Sequence, residues 1–371
     1  STRALSSAAS DVYKRQEVEF NKNTPKEILQ YCVGSLLYTP ATNKKIADKI
    51  LNKKIPHLKS IALCLEDAIG SGQVAEAEKQ VKETLSTLEG DKEFIEGDFP
   101  LIFIRVREPK QMWRLYKKCG NLLELITGFL IPKFNKDNMQ DYIENFHKVK
   151  EKIESPLYIL PIIESTNAIY IQNRIDNLLQ IREGLDLIKD EVLNVRVGGA
   201  DFSNIFGIRR KMEDTIWDVR VVSNCLSDII NMFSKDYVVS GAVWEYFDSN
   251  HVELKITKDS KQTEEKIYPE KTCVPNSKWQ EGLQKELYLD RLNGMIGKTC
   301  IHPKQLEWVQ KSLIVNREDY EDATQIVNAS VSEYGVLNGH GKMNELRTHI
   351  NWAKKIIKLA SIYGVKEDVG C

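Results

Sequence analysis

The sequence has no pair of cysteines at the CxxC spacing typical of zinc sites and redox motifs. Its seven cysteines are scattered, and Cys32, Cys64 and Cys300 lie in or beside apolar runs. A cysteine in such a run behaves as a small hydrophobic side chain. The odd count and the wide spacing argue against a disulfide framework or a zinc site. They favour a reducing compartment, for which we expect the cytoplasm.

Strong charge, long apolar runs and a dinucleotide fingerprint are lacking as well. The formal net charge of -1 gives no support for nucleic-acid binding. No apolar run reaches the roughly 18 residues that a membrane-spanning helix needs. The segment GGADFSNIFG (198–207) lacks the GxGxxG spacing of a dinucleotide-binding loop. We therefore expect no nucleic acid and no membrane among the partners.

The chain does contain eight short apolar runs, each ending in a polar or small residue. Most are continuous rather than alternating, as expected for strands buried on both faces of a parallel sheet. The runs are SLLYTP (35–40), SIALCLED (60–67), LIFIRVR (101–107), ITGFLIPK (126–133), LYILPIIES (157–165), VLNVRVGGAD (192–201), YVVSGAVWE (237–245) and GKTCIHP (297–303).

Helical patterns lie between many of these runs. Residues 74–88, 139–149 and 219–230 each place apolar side chains on one face at helical spacing. Eight strands alternating with helices predict an α/β fold, the (β/α)8 TIM barrel. A doubly wound sheet is the alternative, but it would not require eight strands.

The remaining segments set the expected domain boundaries. Residues 1–20 are small and polar without the apolar core of a signal peptide, so we expect them to be disordered or non-native. Residues 30–315 are predicted to form the catalytic barrel, with a charge-rich excursion at 248–275 after the seventh strand. Residues 316–371 are predicted to form a helical extension that packs on a neighbouring subunit.

Charged residues follow several of the predicted strands. The active site of a TIM barrel lies at the C-terminal ends of its strands. Taken singly, each charged residue there is more often a solvated loop residue or a helix cap than a functional group. Together they favour a hard divalent cation held by oxygen ligands, with an arginine for an anionic substrate. The residues are Glu66, Asp67, Arg105, Arg107, Lys133, Glu164, Asp201, Glu245 and His302.

The order of the motifs resembles the citrate lyase β-subunit-like family of the HpcH/HpaI aldolase superfamily, as a divergent subgroup. The resemblance covers residues 34–358 and implies a Mg²⁺-dependent carbon–carbon lyase with a TIM-barrel fold. Mn²⁺ is an alternative metal, and no organic cofactor on the protein is implied. A homo-oligomer is expected, with a trimer favoured. The motifs are SLLYTPA, LCLEDAIG, FIRVR, GFLIPK, LPIIES, GGADFSNIFG, GKTCIHPKQ and LNGHGKM.

Site residues carry over from this resemblance by their positions in the motifs. Glu164 and Asp201 match the two metal-ligand carboxylates. Arg105 matches the arginine that binds the substrate's carboxylate and polarises its oxygen. Glu66 and Asp67 match an acidic pair beside the metal. Mg²⁺ suits two carboxylates with waters, because it keeps part of its hydration shell.

Substrate contacts are further expected at Lys133, Gly199 and Ala200, where the glycine would keep backbone bulk away from the substrate. The family's acid/base aspartate comes from a neighbouring subunit, shortly after GKM or GSM. Here GKM is followed by Asn344 and Glu345, and Glu345 is the candidate for that role. Arg107 stands where many members have asparagine.

The resemblance implies a reaction that cleaves or forms a β-hydroxyacyl compound. The products of cleavage would be a 2-oxo acid and an acyl or acetyl group, carried by CoA or a carrier protein as part of the substrate. Two alternatives remain open at this point. One is a pyruvate-type class II aldolase that acts on free aldehydes, and the other is a non-catalytic barrel subunit.

Overall fold

The computed structural model describes residues 19–91, 94, 99–248, 275, 277–329, 336–339 and 342–366. The chain divides into two compact units. One comprises Asn21–Ser312, and the other comprises Ser1–Phe20 with Leu313–Cys371. Residues 1–18, and residues 249–274 of the predicted excursion, lie outside the described residues.

Eight parallel strands form the barrel of the first unit. They are β1 (Ser35–Pro40), β2 (Ser60–Cys64), β3 (Leu101–Arg105), β4 (Gly128–Ile131), β5 (Tyr158–Ile163), β6 (Val195–Val197), β7 (Val239–Ser240) and β8 (Lys298–Cys300). Their order in the sheet is β7-β6-β5-β4-β3-β2-β1-β8. A parallel bridge between Gly241 and Lys298 brings the two edges together, so the barrel is nearly closed.

Helices connect the strands and share an apolar core with them. In the helix at 74–89, for example, the predicted face buries Ala77, Val81, Leu85 and Leu88. The helices of this unit are α1 (Lys26–Cys32), α2 (Ile46–Leu51), α3 (Val74–Glu89), α4 (Pro109–Cys119), α5 (Met139–Lys150), α6 (Thr166–Ile169), α7 (Ile171–Leu187), α8 (Gly199–Ile205), α9 (Arg220–Phe233), α10 (Lys278–Leu292) and α11 (Leu306–Leu313).

The second unit contains two helices and a small hairpin. Helix α12 (Arg317–Ala329) packs on α13 (Leu346–Tyr363). Between them, β9 (Val336–Gly339) pairs antiparallel with β10 (Lys342–Glu345). The predicted fold class, a TIM barrel with a C-terminal helical extension, is confirmed. The hairpin was not predicted, and packing of the extension on a neighbouring subunit stays a prediction.

None of the helices in the described residues combines the length and the apolar composition that crossing a bilayer requires.

Strand alternation decides which side chains face the interior of the barrel. On β3, Ile102 and Ile104 belong to the apolar core that strands and helices share. Their neighbour Arg105 points the other way and meets carboxylates from two other strand ends inside the barrel. The same alternation on β6 sends Arg196 inward between Val195 and Val197.

A buried charge network fixes α10 against β8. The Lys298 ammonium lies 2.7 Å from Glu286 Oε1 and 2.6 Å from Asp290 Oδ2. Arg210 pairs with the other oxygen of Glu286 and with Glu245. Burial lowers the pKa of Lys298, and the charge of Asp290 opposes that shift. Buried charges of this kind are tolerated only when they are paired, so the network specifies where α10 docks.

We expect Lys298→Met to lower the free energy of unfolding by about 3 kcal/mol, because it leaves buried carboxylates without their cation. Lys304→Met is the control, since Lys304 and its partner Asp248 are both exposed. Its effect should stay below about 1 kcal/mol. Urea denaturation of both variants measures the difference. Equal losses in the two variants would show that the network does not stabilise the barrel.

Candidate functional site

A cavity of about 410 Å³ lies at the C-terminal ends of the strands. This volume is in the range of small-molecule sites. Acidic, basic and hydroxyl side chains converge on it among apolar ones. They include Tyr38, Asp67, Arg105, Glu164, Asp201 and Thr299.

Arg105 is the centre of the charge arrangement. As the last residue of β3 it is 5% exposed, and its guanidinium meets three carboxylates. Nη2 lies 2.9 Å from Glu66 Oε2 and 3.2 Å from Glu164 Oε1, and Nη1 lies 3.0 Å from Asp67 Oδ2. Burial lowers the pKa of Arg105, but Tyr38, Glu164 and Glu66 raise it well above its ordinary value. The residue is therefore a fixed cation.

Lys133 joins the same group through an unusual backbone conformation. Its φ of 50° lies in the left-handed region, which costs a residue with a side chain roughly 1 kcal/mol or more. This conformation lets its backbone N–H donate to Glu164 Oε1 at 3.0 Å while its ammonium lies 2.5 Å from Glu66 Oε1. Burial lowers the pKa of Lys133, but the hydrogen bond to Glu66 raises it overall.

Glu66 and Asp67 are adjacent carboxyl groups whose pKa values are shifted in opposite directions. Burial raises the pKa of Glu66, and its hydrogen bond with Asp67 adds to the rise. Burial also pushes the pKa of Asp67 upward, but the bond with Glu66 and the charge of Arg105 lower it overall. Pairs of titratable groups whose environments separate their pKa values are typical of acid–base sites.

Glu164 is the most buried acid of the cavity. Burial raises its pKa to about 7, Arg105 opposes this shift, and Asp201 adds to it. Its Oε2 atom lies against the backbone of Gly198, where a Cβ atom would come within 2.2 Å of it. Asp201 lies in the first turn of α8 and lines the same cavity. A cation between the two would relieve the cost of burying one carboxylate beside another.

The donor set fits Mg²⁺ better than a transition metal. Within the part of the chain that the structure describes, no group of three or more His, Cys, Asp or Glu side chains is placed to hold a metal ion. Zn²⁺ needs such a set. Mg²⁺ is commonly held by one or two carboxylates and keeps its remaining waters. Glu164 and Asp201 meet that requirement.

The glycines before Asp201 divide between two roles. Ala200 lines the cavity, as does Gly198. Gly199 is buried instead, and a Cβ atom there would come within 2.8 Å of Ala242 Cβ. The absence of a side chain at Gly198 therefore makes room for Glu164, and its absence at Gly199 lets the turn pack closely on the core.

Glu245 and His302 are not among the residues that line the cavity, and Glu345 belongs to the second unit. Glu245 pairs with Arg210. The His302 ring stacks on Phe247 at 4.5 Å between centroids. Glu345 precedes α13 in the second unit, where its Oε2 accepts a hydrogen bond from Thr348. Its acid/base role stays a prediction.

Sequence reasoning gave no role to two residues that shape the site. Arg107 donates to the backbone carbonyls of Leu65, Glu66 and Ile69, so it braces the loop that presents the acidic pair. Tyr38 lines the cavity, with the Arg105 guanidinium 5.6 Å from its ring centroid. Its position near the end of the first apolar run was the available signal.

One of the comparisons with known proteins identifies a family. A family model described as C-C_Bond_Lyase of the TIM-Barrel fold matches residues 27–365. No curated protein sequence matches this chain.

Two solved structures share the fold. One is CitE from Mycobacterium tuberculosis in complex with magnesium, acetoacetate and coenzyme A, with 17% identity and a TM-score of 0.56 over 89% of this chain and 99% of that one. The other is a citrate lyase from Burkholderia xenovorans LB400, with 16% identity and a TM-score of 0.61 over 94% and 98%. The predicted likeness to citrate lyase β-subunits is confirmed at the level of the fold.

We expect Gly198→Ala to weaken Mg²⁺ binding at least tenfold, because the new Cβ atom displaces the Glu164 carboxylate. Gly72→Ala is the matched control, since a Cβ atom there meets nothing within 4 Å. Calorimetric titration with Mg²⁺ measures both, and thermal unfolding verifies that they are folded. If Gly198→Ala binds Mg²⁺ as tightly as the parent, Glu164 is not a ligand.

Proposed function

Because the chain belongs to the family of carbon–carbon bond lyases of the TIM-barrel fold, we propose that it is a Mg²⁺-dependent lyase. Its substrate would be a β-hydroxyacyl thioester, cleaved to or formed from a 2-oxo acid and an acyl thioester. The observation that carries the proposal is the convergence of Arg105, Asp67, Glu164 and Asp201 on one cavity at the strand ends. A binding scaffold would not require this arrangement of buried charge.

Glu164 and Asp201 are the residues that would hold the metal. When bound, Mg²⁺ supplies positive charge that polarises substrate oxygens and stabilises the negative charge that develops on them. Glu164 is held ready by the backbone N–H of Lys133 and by Arg105, which both contact its Oε1 atom. Its other oxygen remains for a cation.

Arg105 would bind the carboxylate of the 2-oxo acid. Its planar guanidinium matches a carboxylate in geometry as well as in charge. The buried Glu66 carboxylate fixes Arg105 through its Oε2 atom, and Lys133 pairs with its Oε1 atom. The substrate therefore meets a cation that does not have to be ordered on binding.

Asp67 is the candidate for proton transfer at the substrate hydroxyl. Its side chain is 56% exposed and lines the cavity, whereas Glu66 is buried. Its lowered pKa keeps it ionised near neutral pH, so it can accept a proton. The second acid/base group would be Glu345 of a neighbouring subunit in a trimer.

A complex of a protein with the same fold supports the thioester. Coenzyme A and acetoacetate occur in the complex of the mycobacterial protein, which shares the fold at 17% identity. The five described cysteines are buried and free, which is consistent with a reducing compartment such as the cytoplasm. We assign the CoA or carrier-protein thioester to the substrate and no organic cofactor to the protein.

We expect Glu164→Gln and Asp201→Asn each to lower Mg²⁺-dependent turnover by at least about a hundredfold, because each removes a charge that holds the cation. Asp137→Asn is the control. Asp137 is exposed and follows β4, its carboxylate accepts a hydrogen bond from Asn167, and neither residue lines the cavity. Steady-state kinetics with and without EDTA gives the comparison. Full metal-dependent activity in either site variant would rule out the assigned ligands.

A substrate screen separates the thioester reaction from its two alternatives. Pyruvate, glyoxylate and oxaloacetate are each incubated with acyl-CoAs and with free aldehydes, and the products are identified by mass spectrometry. The proposal predicts turnover with acyl-CoAs. Products from aldehydes alone would assign the protein to the pyruvate-type aldolases. Absence of both turnover and calorimetric binding of Mg²⁺ would indicate a non-catalytic barrel.

A further inference from the structure

Arg196 is a fully buried cation inside the barrel. It lies at the centre of β6, where Val195 and Val197 pack in the apolar core and Arg196 itself faces inward. Its Nη2 atom donates a 2.8 Å hydrogen bond to Thr299 Oγ1 on β8. The bridge between Gly241 and Lys298 closes the barrel so that β7 lies between β6 and β8, and this bond is therefore made across the interior of the barrel.

The charge of Arg196 has no carboxylate partner among the described residues. Its Nε and Nη1 atoms make no hydrogen bond there either. Burial lowers the pKa of Arg196. The charges of Tyr38 and Cys300 and a side-chain hydrogen bond with Tyr38 oppose the shift, but neither residue is a carboxylate. The other buried basic side chains of the described residues each pair with a carboxylate, namely Arg105, Arg174, Arg210 and Lys298. An uncompensated buried charge is costly, so its presence calls for an anion that comes from outside the chain.

The neighbours of Arg196 connect it to the cavity. Thr299 and Tyr38 both line the cavity wall, and so does Ile162, the register partner of Arg196 on β5. Arg196 thus lies directly behind the floor of the cavity.

The hydrogen bond between Arg196 and Thr299 also fixes how Thr299 behaves. A guanidinium can only donate, so the Thr299 oxygen accepts from Arg196. The hydroxyl proton of Thr299 is then free to donate to a group in the cavity. A hydroxyl donor backed by an uncompensated positive charge recognises an anion.

We propose that Thr299 forms an anion subsite at the floor of the cavity, with Arg196 as the positioning residue behind it. The subsite takes a second carboxylate of the acid fragment, in addition to the one at Arg105. It therefore selects 2-oxo dicarboxylic acids over 2-oxo monocarboxylic acids. This inference rests on the proposed function, because it assumes that a 2-oxo acid occupies the cavity.

The test compares two acids that differ by one carboxylate, oxaloacetate and pyruvate. Each is titrated calorimetrically into freshly prepared protein in EDTA and again in Mg²⁺. The parent protein should bind oxaloacetate at least tenfold more tightly than pyruvate in both conditions. Thr299→Val, which keeps the shape but removes the hydroxyl, should bring the ratio close to one. Thr299→Ser should restore it.

The variant Arg196→Met tests the positioning role of Arg196 independently of the Thr299 variants. It should also abolish the preference for oxaloacetate, and its thermal unfolding midpoint should be no lower than that of the parent, because an uncompensated charge has been removed. A purely structural arginine would give the opposite result, with a lower midpoint and an unchanged ratio. An equal ratio in the parent and Thr299→Val would overturn the proposal.

The EDTA titrations keep this inference distinct from the lyase proposal. Loss of the oxaloacetate preference in Thr299→Val without metal supports the subsite even if no carbon–carbon bond is ever cleaved. Turnover that depends on Glu164 and Asp201, with equal affinity for the two acids, would leave the lyase proposal standing and refute the subsite.

Discussion

The ion group around Arg105 is the constraint on which the rest of the site depends. A buried guanidinium is costly unless it is paired. Arg105, at the end of β3, pairs with Glu66 and Asp67, which follow β2, and with Glu164, which follows β5. These three acids are thereby fixed over the mouth of the barrel. Lys133 completes the group from a strained backbone conformation, in which its backbone N–H donates to Glu164. The surplus negative charge beside Asp201 makes the cavity suited to a divalent cation.

The buried cations of the barrel fall into two regions with different tasks. The Lys298, Glu286 and Asp290 network is compensated within itself and packs α10 on the outside of the sheet. Such a network specifies structure and needs no ligand. Arg196 faces the interior and has no carboxylate partner among the described residues. Stability and recognition therefore draw on different cations of the same barrel.

Much of the fold was predictable because the apolar runs indicate the strands and the helical spacing of apolar residues indicates the helices. Continuous apolar runs marked all eight strands, although β7 spans only Val239–Ser240 of the predicted run at 237–245. The strand-end rule then placed Glu66, Arg105 and Glu164 at one rim. Membership of the lyase family was likewise recognisable from the order of the motifs.

Other features depend on contacts between distant segments. No local pattern shows that Glu245 belongs to Arg210, or that Lys133 adopts a left-handed conformation. Arg196 did carry a signal, because an arginine between two valines of a buried strand must face the interior or find a partner. Reading that signal required knowing which face of β6 the helices cover.

A crystal structure of the protein with Mg²⁺ and pyruvate tests the central claim most directly, that this cavity is a metal-dependent lyase site. The account predicts a metal ion bonded to Glu164 and Asp201 at about 2.1 Å, with waters completing its coordination. The pyruvate carboxylate should lie against Arg105. A metal bound elsewhere, or pyruvate outside this cavity, would contradict the account.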